Sequence, residues 1–214
     1  MIVAGITPTG GRPEALALCH RWMERQTRPL DEWVVVDDGG VTDENTQAAN
    51  LLAAIDQVTA TADVVLVIED DDWYSPRYVE HMIDLAERSE LFGDGRARYY
   101  NVATSRWAQL HNTAHASLCQ TGWRASLTPL VRDVLATGPA WIDIELWKRA
   151  AGRGRVNEPG VVRCVGVKGL PGRPGIGVGH RADFGTPDRD REMLRQWVGL
   201  EDAEVYAELT GVQP

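Results

Sequence analysis

Four consecutive acids, Glu69-Asp70-Asp71-Asp72, follow directly on the apolar run Asp63-Val-Val-Leu-Val-Ile68. Adjacent carboxylates repel one another, and a fold that keeps them together needs positive charge among them. A hard divalent ion such as Mg²⁺ or Mn²⁺ can supply it, because it takes oxygen ligands and bridges carboxylates to phosphates. An acidic loop wholly in water is the other reading of such a run. Its place just past a buried strand favours the ion, because open α/β sheets bind ligands beyond the carboxyl ends of their strands. Asp37-Asp38 closes a second apolar run and is open to two readings. A carboxylate there accepts hydrogen bonds from a base or ribose, or the pair makes a strand-end turn through its own backbone. A third segment, Thr7-Pro-Thr-Gly-Gly-Arg-Pro13, offers backbone amides, a helix N-terminus and the charge of Arg12 to an anionic or nucleotide group. It is neither G-x-G-x-x-G nor a P-loop, which disfavours dinucleotide dehydrogenases and P-loop hydrolases.

These groups must be held by regular elements, and the first third of the chain supplies them in alternation. Ile2 to Thr7, Trp33 to Asp38 and Asp63 to Ile68 read as buried strands. Glu14 to Thr27, opened by Pro13, and Thr46 to Ala60 read as helices between them. Ser75 and Pro76 open a further helix to about Leu91. Strands separated by helices imply β-α-β units, hence an α/β fold with a mostly parallel, Rossmann-like central sheet flanked by helices. The second half is less regular. Arg98 to Thr104, Ala116 to Gln120 and Val161 to Val167 read as strands; Thr128 to Thr137 and Ile142 to Ala151 read as helices. Gly169 to His180 holds five glycines and two prolines in twelve residues, a loop of the kind that often serves as a lid. Asp188 to Leu209 reads as one or two amphipathic helices over the sheet.

At 214 residues, with 43% hydrophobic and 25% charged, the chain suits one globular domain and excludes wholesale disorder. No apolar run approaches the ~18–20 residues of a membrane span, and Ile2 to Ile6 is too short and unflanked to be a signal peptide. Cys19, Cys119 and Cys164 lie far apart with no C-x-x-C spacing, which points to a reducing cytoplasm. The net charge of −9 is unevenly spread: Lys148 to Arg191 carries ten basic and four acidic residues. A basic third beside an acidic remainder suits a phosphorylated ligand between them, or is solvated surface. Of the eight tryptophans, Trp73, Trp107, Trp123 and Trp141 either stack on sugar or base faces or fill the core.

Taken together, Ile6-Thr-Pro-Thr-Gly-Gly-Arg-Pro13, Arg25-Gln-Thr27, Val34-Val-Val-Asp-Asp-Gly39 and Glu69-Asp-Asp-Asp-Trp-Tyr-Ser-Pro76 resemble, in order and spacing, the nucleotide-sugar half of GT-A fold glycosyltransferases, most closely family 2. Two departures stand out: Gly10-Gly11 replaces an aromatic-Asn pair, and Gly40-Val41 stands where Ser-Thr is common. The resemblance implies a single GT-A domain, with residues 1–95 as the nucleotide-sugar half and 96–214 as the acceptor half. It places Pro8, Arg12 and Asp38 around the nucleoside, in a binding set that also takes in Thr7, Thr9, Asp37, Asp70 and Asp71. Asp70 and Asp72 are the implied D-x-D acids, Asp70 near the ribose and Asp72 on the metal, with Asp71 leaving the register open by one. His180 is the implied late ligand, so the metal set is Asp70, Asp72 and His180. Lys168, Arg173 and Arg181 flank the glycine-rich loop as partners for a diphosphate. Gly138-Pro-Ala-Trp-Ile-Asp-Ile-Glu-Leu-Trp-Lys-Arg149 resembles the family's acceptor-side helix, which makes Asp143 the candidate base and Glu145 the runner-up.

The implied reaction is metal-dependent transfer of a sugar from a nucleotide-diphosphate sugar to an acceptor hydroxyl, inverting if Asp143 serves as base. The acceptor is open: a small molecule, a glycan, a protein or a hydroxylated DNA base such as hydroxymethylcytosine. A sugar nucleotidyltransferase is disfavoured because no longer glycine-rich opening with a following Pro-Lys is present. A silent GT-A-like binding module is disfavoured by the intact acids and Asp143.

Overall fold

A computed structural model describes residues 1–39 and 46–210. The first five elements are β1 (Val3–Thr9), α1 (Pro13–Glu24), β2 (Glu32–Asp37), α2 (Gln47–Gln57) and β3 (Val64–Val67). β1 pairs parallel with β2 on one side and with β3 on the other. The chain therefore leaves β1 toward one edge and crosses back over it to reach β3. α1 packs on one face and α2 on the opposite face, and such a reversal opens a crevice at the carboxyl ends of β1 and β3.

β4 (Trp73–Tyr74), α3 (Tyr78–Ala86), β5 (Leu91–Asp94), β6 (Arg96–Asn101) and β7 (Arg106–His111) come next. They are followed by β8 (Thr121–Arg124), α4 (Thr128–Ala136), α5 (Ile142–Arg149), β9 (Gly154–Asn157) and β10 (Cys164–Lys168). The chain closes with β11 (Thr186–Pro187), α6 (Glu192–Val198) and α7 (Leu200–Thr210). The central sheet has the order β2-β1-β3-β8-β5-β9. Its β3–β8 and β8–β5 pairings are antiparallel and the other three are parallel. In a second, mixed sheet, β11-β7-β6-β10-β4, the expected strands Arg98 to Thr104 and Val161 to Val167 overlap β6 and β10, whereas β4, β7 and β11 are not foreseen by the sequence pattern. β7 mixes polar and apolar residues and is half exposed, and β4 and β11 are two residues each.

Alternation along the strands feeds two cores. Val64, Leu66 and Ile68 face α1, α3, α6 and α7, whereas Val65 and Val67 face α2, α4 and α5. The result is a helix–sheet–helix sandwich of the expected α/β class. Local differences have local causes. Ala116 to Gln120 is not a strand: Gln120 N–H closes a 3₁₀ turn on the Ser117 carbonyl at 2.9 Å, and Thr121 Oγ1 donates to that same carbonyl at 2.9 Å. The strand begins at Thr121 instead. The helix expected to reach Leu91 stops at Ala86, because Leu91 and Phe92 pair with β8 in the central sheet.

The segment after the acids is clamped from behind. Gln26 Nε2 donates to the Ser75 carbonyl at 2.8 Å and Gln26 Oε1 accepts the Val79 amide at 3.0 Å. The Thr27 amide adds a 2.8 Å bond to the Pro76 carbonyl. Arg25-Gln-Thr27 thus acts through positioning, not through ligand contact. Arg25, stacked 4.4 Å over the Trp22 ring, pairs with Asp202 on α7, whose carboxylate also accepts Trp73 Nε1 at 2.6 Å. The C-terminal helix is thereby tied to the residue that follows the acid run.

Asp202→Ala leaves the Trp73 N–H and the Arg25 head without their shared acceptor, so stability should fall by about 2 kcal/mol. Urea unfolding reads this as a lower midpoint at unchanged slope, and a shift below about 0.5 kcal/mol would show the tie to be idle.

Candidate active site

Thr9 ends β1 and Asp70 lies just past β3, and Thr9 Oγ1 donates to Asp70 Oδ2 across the crevice at 2.5 Å. Arg12, the residue before α1, grips the same carboxylate: Nε reaches Oδ2 at 3.1 Å and Nη2 bonds Oδ1. Arg12 Nη1 reaches Asp71 Oδ2 at 3.4 Å, and Lys168, from β10, reaches the same oxygen at 3.2 Å. Lys168 also bonds Asp72 Oδ1 at 2.9 Å, which in addition accepts the Val167 amide at 2.9 Å. The cation that holds the acid run together is therefore partly built into the chain.

The balance is incomplete. Four carboxylates share two closely paired cations, and all but Glu69 are buried. Burial and the Asp71 charge push Asp70 up to about 7, against the pull of Arg12. Burial also raises Glu69. Asp71 is likewise penalised by burial, but Lys168 and Arg12 outweigh that and hold it at about 2. Lys168 stays charged, because Asp71 and Asp72 overcome the cost of its burial.

These groups form one wall of a cleft of about 280 Å³. Pro8, Thr9, Arg12, Glu69, Asp70 and Asp71 line it from the strand ends, and Gln47 and Asn50 from α2. Gln47 Nε2 fixes Glu69 at 2.6 Å, and Asn50 Nδ2 bonds the Thr9 carbonyl at 3.0 Å. Ala140 to Asp143 at the start of α5 complete the lining, with Arg173 and His180 from the glycine-rich segment beside Lys168. A Cβ at 175 would lie 2.7 Å from His180 Nε2, so any larger residue there would displace the imidazole. Burial and the nearby Lys168 lower His180 to about 4, so its imidazole is neutral at pH 7.

The sequence-derived set divides on this geometry. Pro8, Thr9, Arg12, Asp70, Asp71, Asp143, Lys168, Arg173 and His180 share the cleft. Asp38 sits at its rim, bonded by Thr46 and 3.9 Å from Arg173 Nη1. Thr7 does not reach it; the side chain is fully buried and accepts Trp33 Nε1 at 2.8 Å. Asp37 accepts the Gly11 and Gly39 amides at 2.9 and 2.8 Å, so it staples two turns together rather than facing a ligand. Asp72 is the principal correction. It points into the protein among Val167, Lys168 and the sulfurs of Cys119 and Cys164, which places Asp71 and not Asp72 on the cleft. Arg181 projects outward and pairs with Asp183 at 3.7 Å. Glu145, two residues beyond Asp143, turns away and pairs with Arg149 at 2.9 Å. Gly40 and Val41 lie outside the described residues.

Asp143 Oδ1 accepts the Ile144 amide at 2.9 Å, and burial raises its proton affinity against the opposing field of His115. It faces Glu69 closely enough that its charge raises Glu69. Of the four tryptophans singled out, Trp73 and Trp123 are core and Trp107 packs edge-on against Trp197. Trp141 alone lines the cleft. Glu69, Gln47, Asn50 and Tyr99 also line it and escape the sequence reading. Glu69 has a signal in its place at the strand end; the other three have none.

The Asp72–Cys119–Cys164 group, whose ligand atoms lie within 4.8 Å of one another, does not suit a metal ion. Lys168 already occupies its cationic position at 2.9 Å, and both thiols are pushed up toward their neutral form.

The glycosyl transferase family 2 model matches residues 42–134. Among solved structures, S. aureus TarS 1-349 in complex with UDP is similar at a TM-score of 0.57 and 13% identity, covering 78% of this chain and 60% of that one. The complex of the same protein with UDP-GlcNAc gives 0.52 and 13%, covering 98% and 70%. The S. aureus TarS structure gives 0.53 and 12%, covering 78% and 37%. This chain thus spans about 60% of the first structure's length. No curated protein matches at the level of sequence. The structural likeness shows the fold, which is that of GT-A enzymes.

Removing the Asp72 carboxylate strips Lys168 of a buried partner, so Asp72→Ala should cost about 3–5 kcal/mol. Asp71→Asn keeps an oxygen and an uncharged shape on the cleft, and its melting temperature should stay much closer to wild type. Thermal melts of the two variants read the contrast. Equal melting temperatures would mean that Asp72 is not the internal member of the run.

Proposed function

We propose that this chain, a GT-A fold protein resembling the family 2 glycosyltransferases, moves a sugar from a nucleotide-diphosphate donor to an acceptor hydroxyl. One observation carries the reading. The crevice between β1 and β3 brings Arg12, Asp70 and Asp71 into one lining with Asp143, Lys168, Arg173 and His180. The similar S. aureus TarS forms a complex with UDP-GlcNAc, which supports a uridine-diphosphate sugar as the first donor to try.

In this reading the nucleoside lies along Pro8, Thr9 and Asp38. Arg12, Lys168 and Arg173 face the diphosphate, where charge-assisted bonds gain strength as negative charge builds on the departing group. The donor set also suits a divalent ion. Asp71 Oδ1 has no protein partner among the described residues, and neutral His180 stands on the same cleft. Asp71 stays ionised in this crowd of carboxylates, so a negative charge faces the cleft. Asp71 and His180 would hold Mn²⁺ or Mg²⁺, and the imidazole leans the choice toward Mn²⁺. When bound, the ion supplies positive charge to the diphosphate oxygens. In an inverting transfer Asp143 takes the proton of the acceptor hydroxyl as its oxygen attacks the anomeric carbon, and burial holds the Asp143 carboxylate at a raised basicity. The described residues include no helix long and apolar enough to cross a membrane. Three buried free thiols support a cytoplasmic location.

A panel of nucleotide sugars, beginning with UDP-GlcNAc, is assayed for turnover with Mn²⁺, with water standing in for the acceptor. Asp143→Asn should lower turnover by about 10²–10⁴-fold while donor affinity changes little. Excess chelator should abolish activity in the wild type. A panel with no turnover contradicts the donor reading, and full activity in chelator removes the ion from it. Weakened donor affinity at unchanged turnover would make Asp143 a binding residue.

A further inference from the structure

Seven of the eight tryptophans are packed, but Trp141 is 49% exposed and lines the cleft. An indole held in water forfeits the burial its size would otherwise gain. Ile176, 55% exposed on the glycine-rich segment, lines the same cleft. Two residues past Trp141 stands Asp143, whose Oδ1 takes the Ile144 amide and whose carboxylate lines the cleft. The lining of the cleft therefore combines the cations Arg12 and Lys168 with an aromatic face at Trp141, an aliphatic side chain at Ile176 and the carboxylate of Asp143.

We propose that Trp141 is the platform of an acceptor subsite that takes a pyranoside. This rests on the glycosyl-transfer reading and names the acceptor class that reading leaves open. A pyranose ring offers a C–H face for the indole and hydroxyls on its edge for the Asp143 carboxylate, so one ring satisfies both groups. An acyclic polyol has the hydroxyls but no rigid face to stack. A hydroxymethylated nucleobase has the face, but its phosphates would approach the first turn of α5, where Asp143 and Glu145 sit. Its fixed place at the mouth of α5 means that the platform also orients the stacked ring, bringing one edge hydroxyl to the base.

Saturation-transfer NMR with methyl β-D-glucopyranoside, methyl β-D-galactopyranoside and methyl N-acetyl-β-D-glucosaminide, each with UDP and Mn²⁺ present, tests the subsite directly. Glycerol and an oligonucleotide carrying 5-hydroxymethylcytosine are run beside them. At least one glycoside should bind the wild type, about tenfold more weakly in Trp141→Ala, and with affinity largely restored in Trp141→Phe. Because Trp141 is half exposed, melts of both variants should match wild type. No glycoside binding, equal binding by Trp141→Ala, or a preference for glycerol or the oligonucleotide overturns the proposal. Donor turnover by the wild type is read separately. Glycosides that bind at Trp141 while no nucleotide sugar turns over would contradict the transfer reading and leave the subsite standing.

Discussion

Everything at the cleft depends on an unequal balance of buried charge. Four carboxylates in sequence share a small volume with the guanidinium of Arg12 and the ammonium of Lys168. At an effective dielectric of about 20, like charges 4 Å apart repel by about 4 kcal/mol, so an unscreened run of this kind would not stay folded. The fold answers from two distant points in the chain. β1 delivers Arg12 to one side of the run and β10 delivers Lys168 to the other. The acids do not need an outside ion to exist, yet they outnumber the cations paired with them, and Asp71 keeps its charge on the cleft. That surplus is a standing affinity for positive charge at the one place where the sheet is open.

The rest of the structure keeps this balance in register. Thr9 spans the crevice to Asp70, and Asn50 ties the same strand end to α2. From behind, Gln26 and Thr27 hold Ser75 and Pro76, while Asp202 holds Trp73 and Arg25. A short, strongly charged turn is thus fixed at both ends by groups that themselves never meet a ligand. His180 is placed by the close passage of Gly175, which keeps a neutral imidazole facing the same space.

The first ninety residues are legible because each motif sits where a strand hands over to a helix, and apolar runs mark those points plainly. The acids, Thr9, Arg12 and Asp38 can be located this way. The direction of each acid cannot, since side chains in a tight turn do not follow a strand's simple alternation; the sequence turns Asp72 outward, whereas it bonds Lys168 and the Val167 amide inside. Arg181 is drawn to the site by its nearness in sequence to His180, although the turn after His180 sends it to solvent. Of the second sheet only β6 and β10 are legible, because β4 and β11 are two residues each and gain their identity only by pairing with distant strands. Trp141 and Asp143 are in view, but nothing in the local pattern distinguishes an indole on a cleft from one in a core.

The central claim is that the surplus charge is met by a divalent ion at Asp71, on the cleft, with a nucleotide diphosphate beside it. Crystals grown with Mn²⁺ and UDP, measured at the manganese absorption edge, locate the ion without reference to activity. The account predicts one anomalous peak in contact with Asp71 and His180, with the diphosphate between it and Arg173. A peak among Asp72, Cys119 and Cys164, or bound UDP with no manganese near Asp71, would contradict it.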